Sequence, residues 1–135
     1  FASRAEHIAD VIEPALKRGA WVLSDRFTDA TFAYQVGAKG QSAHFVETLE
    51  KLVQGDLQPD HTVLFDITPE IAATRRAKAR AADRFESEDL AFFSAVRAAY
   101  LRRAEASGKR FFILDATQNP ETMTERLLEE ACTWL

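Results

Sequence analysis

Three short apolar runs, each closed by an aspartate, punctuate the chain: Trp21-Val22-Leu23-Ser24-Asp25, Thr62-Val63-Leu64-Phe65-Asp66 and Phe111-Phe112-Ile113-Leu114-Asp115. Each is apolar on both alternating faces, which predicts strands of a parallel sheet covered by helices on both sides. In open α/β sheets the ligand crevice lies outside the carboxyl ends of the strands, so this pattern directs Asp25, Asp66 and Asp115 to one functional edge. Aspartate is also simply a good residue for leaving a strand. That plainer reading is preferred for Asp66 and Asp115, whereas Asp25 is set apart by the Arg26-Phe27 pair directly after it.

Between the runs the apolar spacing is helical. Ile8, Val11, Ile12, Ala15 and Leu16 form the stripe of a first helix that Lys17-Arg18-Gly19 ends. Pro14 removes the bond to the Asp10 carbonyl, which predicts a kink or a restart. No N-cap residue precedes this stripe, as if the helix were entered partway along. Ser42 to Val53 forms a second segment with Phe45, Leu49, Leu52 and Val53 on one face, followed by the turn-rich Gly55-Asp56-Leu57-Gln58-Pro59-Asp60. Thr68-Pro69-Glu70 opens a third helix with an N-cap, a proline at the first position and an acid near the positive helix end. A long helix is expected from about Ser87 to Ala106, acidic at its start, basic at Arg102 and Arg103, and stopped by Ser107-Gly108. Asn119-Pro120-Glu121 starts the last one, with Met123, Leu127, Ala131 and Trp134 as its buried stripe. The order α-β-α-α-β-α-α-β-α is that of an α/β protein with a parallel sheet.

Composition narrows the function. The 135 residues carry 17 Lys and Arg against 21 Asp and Glu, a net charge of −4, which argues against a general nucleic-acid or membrane-surface binder. A hydrophobic share of 47% is too apolar for intrinsic disorder and ordinary for one soluble domain. No stretch approaches the roughly 18 consecutive apolar residues of a membrane span, and the start does not read as a signal peptide. The single Cys132 makes no intramolecular disulfide, which fits a reducing cytoplasm. His7, His44 and His61 are scattered, so no protein-built zinc site is expected. No Gly-x-Ser-x-Gly and no Gly-x-x-x-x-Gly-Lys-[Ser/Thr] motif occurs.

Two segments carry candidate chemistry. The first is Asp25-Arg26-Phe27-Thr28-Asp29-Ala30-Thr31-Phe32-Ala33-Tyr34-Gln35. An Asp-Arg pair at the end of a buried strand is costly unless both charges have partners, and the planar donor fork of Arg26 suits phosphate oxygens. If the residues after it are helical, Thr31, Tyr34 and Gln35 share a face able to line a base-and-sugar pocket. A buried Asp-Arg ion pair followed by an ordinary amphipathic helix fits the same spacing. The second segment is Arg75-Arg76-Ala77-Lys78-Ala79-Arg80-Ala81-Ala82-Asp83-Arg84-Phe85-Glu86. On a helix Arg76, Arg80 and Arg84 form one stripe, a repulsion that an anionic partner would offset, and the small residues between them suit a basic arm closing over phosphates. A solvated charged helix face is the commoner fate of such runs.

These residues together resemble a family. Phe1-Ala2-Ser3-Arg4-Ala5-Glu6-His7, Asp25-Arg26-Phe27 with Thr31, Tyr34 and Gln35, Gly55-Asp56-Leu57-Gln58-Pro59-Asp60, Asp83-Arg84-Phe85-Glu86 and Asp115-Ala116-Thr117-Gln118 are similar in order and spacing to bacterial thymidylate kinases. The resemblance covers nearly the whole chain. It implies transfer of the γ-phosphoryl group of ATP, with Mg²⁺, to dTMP on a P-loop kinase fold, in a cytoplasmic homodimer with no nucleic-acid or membrane partner. By the same resemblance, Arg4 contacts the thymine carbonyl. Asp25 supports the metal and phosphates, and Arg26 grips the dTMP phosphate and steadies the phosphoryl in flight. Thr31 contacts the base, Tyr34 crowds the sugar 2′ position and Gln35 adjoins that pocket. Arg75, Arg76, Arg80 and Arg84 belong to a lid near residues 70–86 that approaches the ATP phosphates, and Asp115, Ala116 and Thr117 form the loop beside the adenine.

The departures matter as much. Ala30 stands where many relatives carry serine, and the aromatic that stacks on thymine would lie one residue before Phe1. The phosphate-binding loop and its strand are missing from these residues, and in the family that strand lies between those ending in Asp25 and Asp66. The expectation is therefore an α/β, P-loop kinase-type parallel sheet with flanking helices but without its N-terminal strands. Residues 1–135 would be about two-thirds of a nucleoside monophosphate kinase domain, inactive alone, with the metal ligands mostly elsewhere. Another P-loop nucleoside or nucleotide kinase, or a non-catalytic nucleotide-binding fragment, are the alternatives.

Overall fold

Ile8, Ile12 and Ala15 bury along one side of the N-terminal helix, while Val11 and Leu16, expected in the same stripe, are exposed at its flanks. In this computed structural model, which describes residues 1–79 and 90–135, the helix has three parts. An α-helix over Ala2–His7 (α1) passes into π-helical turns over Ile8–Ile12 and restarts as Glu13–Lys17 (α2). Proline explains the change. Pro14 has no N–H for the Asp10 carbonyl, so the turns before it widen, the Glu13 N–H donates five residues back to Ile8, and Pro14 sits in the first turn of the new helix where its missing donor costs least. Gly19, at φ +75°, then ends it in the left-handed conformation that suits glycine.

The described residues form two compact units, Phe1–Gln58 and Pro59–Leu135. In the first, a short helix over Thr28–Thr31 (α3) runs into π-helical turns over Phe32–Ala38, followed by a helix over Ala43–Gln54 (α4) whose N-cap Ser42 accepts a bond from the Phe45 amide (3.4 Å). Helix α4 packs on both α1 and the π-helical segment. The core is Ile8, Ile12, Ala15, Phe32, Ala33 and Val46, with Thr28, Asp29 and Gln54 buried among them. The α4 stripe differs from the expected one: Val46 is its buried apolar residue, whereas Phe45 and Leu52 face solvent. Apolar spacing finds an amphipathic helix but does not fix how far round the covered face extends.

Trp21–Asp25 is not a strand. Trp21 and Leu23 are exposed, Leu23 completely. An apolar run becomes a strand only where a neighbouring ladder pairs its backbone, and among the described residues ladder pairing joins only the other two runs. In the second unit Thr62–Asp66 (β1) and Phe111–Asp115 (β2) pair in parallel, Thr62 against Phe111 through to Asp66 against Asp115. A helix over Pro69–Ala79 (α5) and one over Leu90–Ala106 (α6) pack together, a 3₁₀ turn over Gly108–Arg110 leads into β2, and a helix over Pro120–Cys132 (α7) packs on β2. The expected start of α6 at Ser87 lies outside the described residues. Its end at Ala106 agrees with the Ser107-Gly108 stop.

Among the described residues the sheet is not covered on both sides: Leu114 is 1% exposed, but Phe65 and Ile113 keep about half their surface (54% and 48%). The α7 stripe of Met123, Leu127, Ala131 and Trp134 is half-buried and not core. Asn119 caps α7 as expected, its Oδ1 accepting from the Thr122 amide at 2.8 Å.

Candidate functional site

The residues singled out in the first unit meet in pairs. Arg4, on α1, lies 27 positions from Thr31, on α3, yet its Nη2 donates to Thr31 Oγ1 at 3.0 Å. Its guanidinium sits 4.8 Å from the Phe1 ring centroid and 5.1 Å from that of Phe27, both within cation–π range. Burial pushes the Arg4 pKa down, and the charge of Glu50 partly offsets this. The group stays protonated, since arginine does not lose its charge in proteins. One donor, Nη1, is buried and has no hydrogen-bond partner among the described residues. An unsatisfied buried donor costs about 1–3 kcal/mol, more when charged, so an acceptor placed at Nη1 would be favoured.

Arg26 and Tyr34 form the second pair. The Arg26 guanidinium lies 4.5 Å from the Tyr34 ring centroid. Arg26 is also, among the described residues, the one non-glycine with positive φ, at +65°. Left-handed backbone costs an L-residue roughly 1–2 kcal/mol and is found where the surroundings over-determine it. Ser24 Oγ donates to the Arg26 carbonyl (3.3 Å), and the next residues enter α3. Asp25 and Arg26 are both exposed, so a buried ion pair is not what holds this turn. Gln35 is half-buried on the π-helical turns, its carbonyl accepting from the Gln41 amide at 2.8 Å. Beneath α3, Thr28 Oγ1 donates to Gln54 Oε1, and Gln54 Nε2 donates to the Leu57 carbonyl at 3.2 Å, which ties α3 to the end of α4. Sequence spacing did not single out this buried contact, whose partners lie 26 residues apart.

In the second unit Arg75, Arg97 and Arg110 hydrogen-bond protein oxygens. Arg97, on α6, makes a two-pronged pair with Asp66 at the end of β1, Nε to Oδ1 at 2.7 Å and Nη2 to Oδ2 at 2.8 Å. This bond lowers the Asp66 pKa first of all, and the same contact raises that of Arg97. Arg97 was not among the sequence candidates; an isolated arginine on a long helix gives no local signal. Asp66 is thus part of an ion pair that neither reading of its strand-end position expected. Arg75 Nη1 and Nη2 donate to the carbonyls of Ala116 and Thr117 at 2.6 and 2.9 Å. Arg76 turns elsewhere, to 4.6 Å from the Phe93 ring centroid. Arg80, Arg84 and the Asp83-Arg84-Phe85-Glu86 motif lie outside the described residues.

Asp115 organises the turn after β2. Its Oδ1 accepts from the Thr117 amide (2.9 Å) and Thr117 Oγ1 (2.7 Å), and its Oδ2 from Gln118 Nε2 (3.0 Å). These donors, Gln118 foremost, hold its carboxyl down at about 2. Among the described residues no three His, Cys, Asp or Glu side chains converge as metal ligands, and no helix is long and apolar enough to cross a membrane.

Comparison with known proteins gives these pairs a context. A family model described as thymidylate kinase matches residues 1–127. The chain is 60% identical over 129 residues to a thymidylate kinase of Paraburkholderia xenovorans, covering 96% of this chain and 63% of the relative. It is 61% identical over 130 residues to one of Paraburkholderia phytofirmans, with 96% and 63% covered. With one of Burkholderia lata it shares 63% over 118 residues, 87% of this chain and 57% of the relative. The chain thus spans less than two thirds of the length of these curated relatives.

Proposed function

This chain belongs to the thymidylate kinase family, and from that premise we propose that the intact protein transfers the γ-phosphoryl group of ATP to dTMP. An oxygen of the dTMP phosphate bonds to the γ-phosphorus, the bond from that phosphorus to the β,γ-bridging oxygen breaks, and ADP leaves with the electron pair. Such chemistry asks the protein mainly for positioning and charge stabilisation.

Arg26 holds the acceptor phosphate. Its strained backbone sets the direction of the side chain, and the Tyr34 ring limits the guanidinium's freedom, so less entropy is lost when phosphate binds. Arg4 and Thr31 hold the base, with Tyr34 against the sugar and Gln35 at the margin. The observation that carries this reading is the buried Arg4 Nη1, whose desolvation cost is offset by a carbonyl acceptor such as one of thymine.

Asp25, exposed at the start of the turn, is the carboxylate this chain offers to a Mg²⁺–phosphate arrangement; Mg²⁺ usually takes one or two carboxylates and completes its shell with phosphate oxygens and water. When bound, the metal neutralises charge on the transferred group. The segment near 70–86 forms the lid and Asp115–Thr117 the adenine side of a domain of which these residues are about two-thirds. A homodimer accords with Val11, Phe45 and Leu52 being exposed apolar side chains on helices. The −4 balance supports small nucleotides over nucleic acid as partners.

A phosphoryl-transfer assay on the intact protein with dTMP, dUMP, dCMP and deoxythymidine as acceptors tests the reading. dTMP is expected to be the best acceptor. Preference for deoxythymidine would make the protein a deoxynucleoside kinase, and failure with dTMP would refute the proposal.

A further inference from the structure

We propose that Arg75 is a positioning residue for the turn after β2, clamping its carbonyls to helix α5, and not a ligand of the ATP phosphates. Both terminal nitrogens of its guanidinium are engaged, one on the Ala116 carbonyl and one on that of Thr117, residues 41 and 42 positions away. A planar fork spanning two successive carbonyls is a geometry that arginine provides and lysine does not.

The rest of the turn is already held from its other side. The Ala116 amide donates to the Asp66 carbonyl at 2.9 Å, extending the β1–β2 ladder by one residue. The Thr117 amide and hydroxyl and the Gln118 amide group all donate to the Asp115 carboxylate. Strand and aspartate therefore satisfy the donors of the turn, while Arg75 satisfies the Ala116 and Thr117 carbonyls. Ala116 is buried at the centre of this arrangement. A turn held on both sides has one shape, and a nucleobase resting against it meets a fixed wall. Helix α5 supplies the clamp, so whatever moves α5 is coupled to that wall.

This inference rests on the reading of Asp115–Thr117 as the adenine side of the site, and its test separates the two. In the intact protein, Arg75→Ala and Arg75→Lys are each compared with the parent in two measurements. The first needs no ligand: hydrogen exchange at the Thr117 amide is expected to speed up by about tenfold in both variants, and unchanged exchange would overturn the clamp. The second compares ATP with GTP as phosphoryl donor. A positioning role predicts that KM for ATP rises by about tenfold in both variants while kcat and KM for GTP change little, so the preference for ATP shrinks. Equal losses with both donors, rescued by Arg75→Lys, would mean that the charge acts on phosphate and would overturn the proposal. Faster exchange with an unchanged ATP-to-GTP ratio would confine Arg75 to structure and overturn its role at the base. Lack of dTMP phosphorylation by the parent would count against the kinase reading alone.

Discussion

Arg4 and Arg26 in the first unit differ from Arg75 and Arg97 in the second in how far the protein fills their hydrogen-bonding capacity. In Phe1–Gln58, Arg4 keeps a buried donor without a partner among the described residues, and Arg26 presents its guanidinium to a tyrosine ring from a strained backbone. In Pro59–Leu135, Arg75 and Arg97 each commit two nitrogens to protein oxygens, and Arg110 donates to Thr62 Oγ1 at 2.8 Å and Ser107 Oγ at 3.3 Å. An arginine whose fork is filled by its own protein supports the fold. One held in place with capacity left over is suited to a ligand, and its stability cost is tolerable because binding offsets it.

Substitutions should therefore separate activity from stability according to the unit they fall in. The largest effect is expected at Arg26. In the intact protein Arg26→Ala should lower kcat/KM for dTMP by roughly 100-fold or more, while Arg26→Gly, equally inactive, should raise stability by up to about 1 kcal/mol because glycine is at ease at positive φ. Parallel loss of stability in Arg26→Gly would contradict the strain assignment. Next, Arg4→Met should weaken dTMP binding by about 10- to 100-fold, measured by calorimetry, yet leave the thermal midpoint unchanged or higher, since it removes a buried unsatisfied donor. A clear drop in the midpoint would place Arg4 among the structural arginines.

The second unit should show the reverse. Arg97→Met should destabilise by about 1–3 kcal/mol in denaturant unfolding, because Asp66 is left partly buried without its partner, and dTMP affinity should stay within about twofold. The smallest effect is on pH. Asp66 and Asp115 have folded pKa values below the unfolded value of about 3.9, Asp115 at about 2. Such acids contribute stability that is fully present above pH 4 and lost as pH falls through the folded value. Unfolding monitored at Trp134 should therefore show a constant free energy from pH 7 to about 5 and a decline between about 4 and 2. Stability that rose as pH fell across that window would invalidate both carboxylate assignments.

How much of this could be read in advance varies with the range of the interaction. The cap at Asn119, the proline start of α5 and the glycine stops at Gly19 and Gly108 are decided within four residues, and the structure has them where the sequence indicates. The strand at Trp21–Asp25 failed because a strand is a property of a pair, and the pairing among the described residues joins only β1 and β2. The candidate pocket residues were found by their motif, but their partners were not. Arg4 with Thr31 and Arg26 with Tyr34 are brought together by helix packing and by one residue of left-handed backbone.

By itself the sequence determined what is local: helices from apolar spacing and caps, the wider turns forced by Pro14, the parallel pair of apolar runs ending in aspartate, and a family whose motifs name candidate residues. Only the tertiary structure decided which charges remain available. The hydrogen bonds of a guanidinium depend on oxygens far along the chain, 31 residues away for Arg97 and 41 for Arg75. No periodicity records where such a fork ends. Arg75, placed by sequence in a basic segment, thus donates to two carbonyls of a turn, and Arg4 keeps a buried donor with no partner among the described residues.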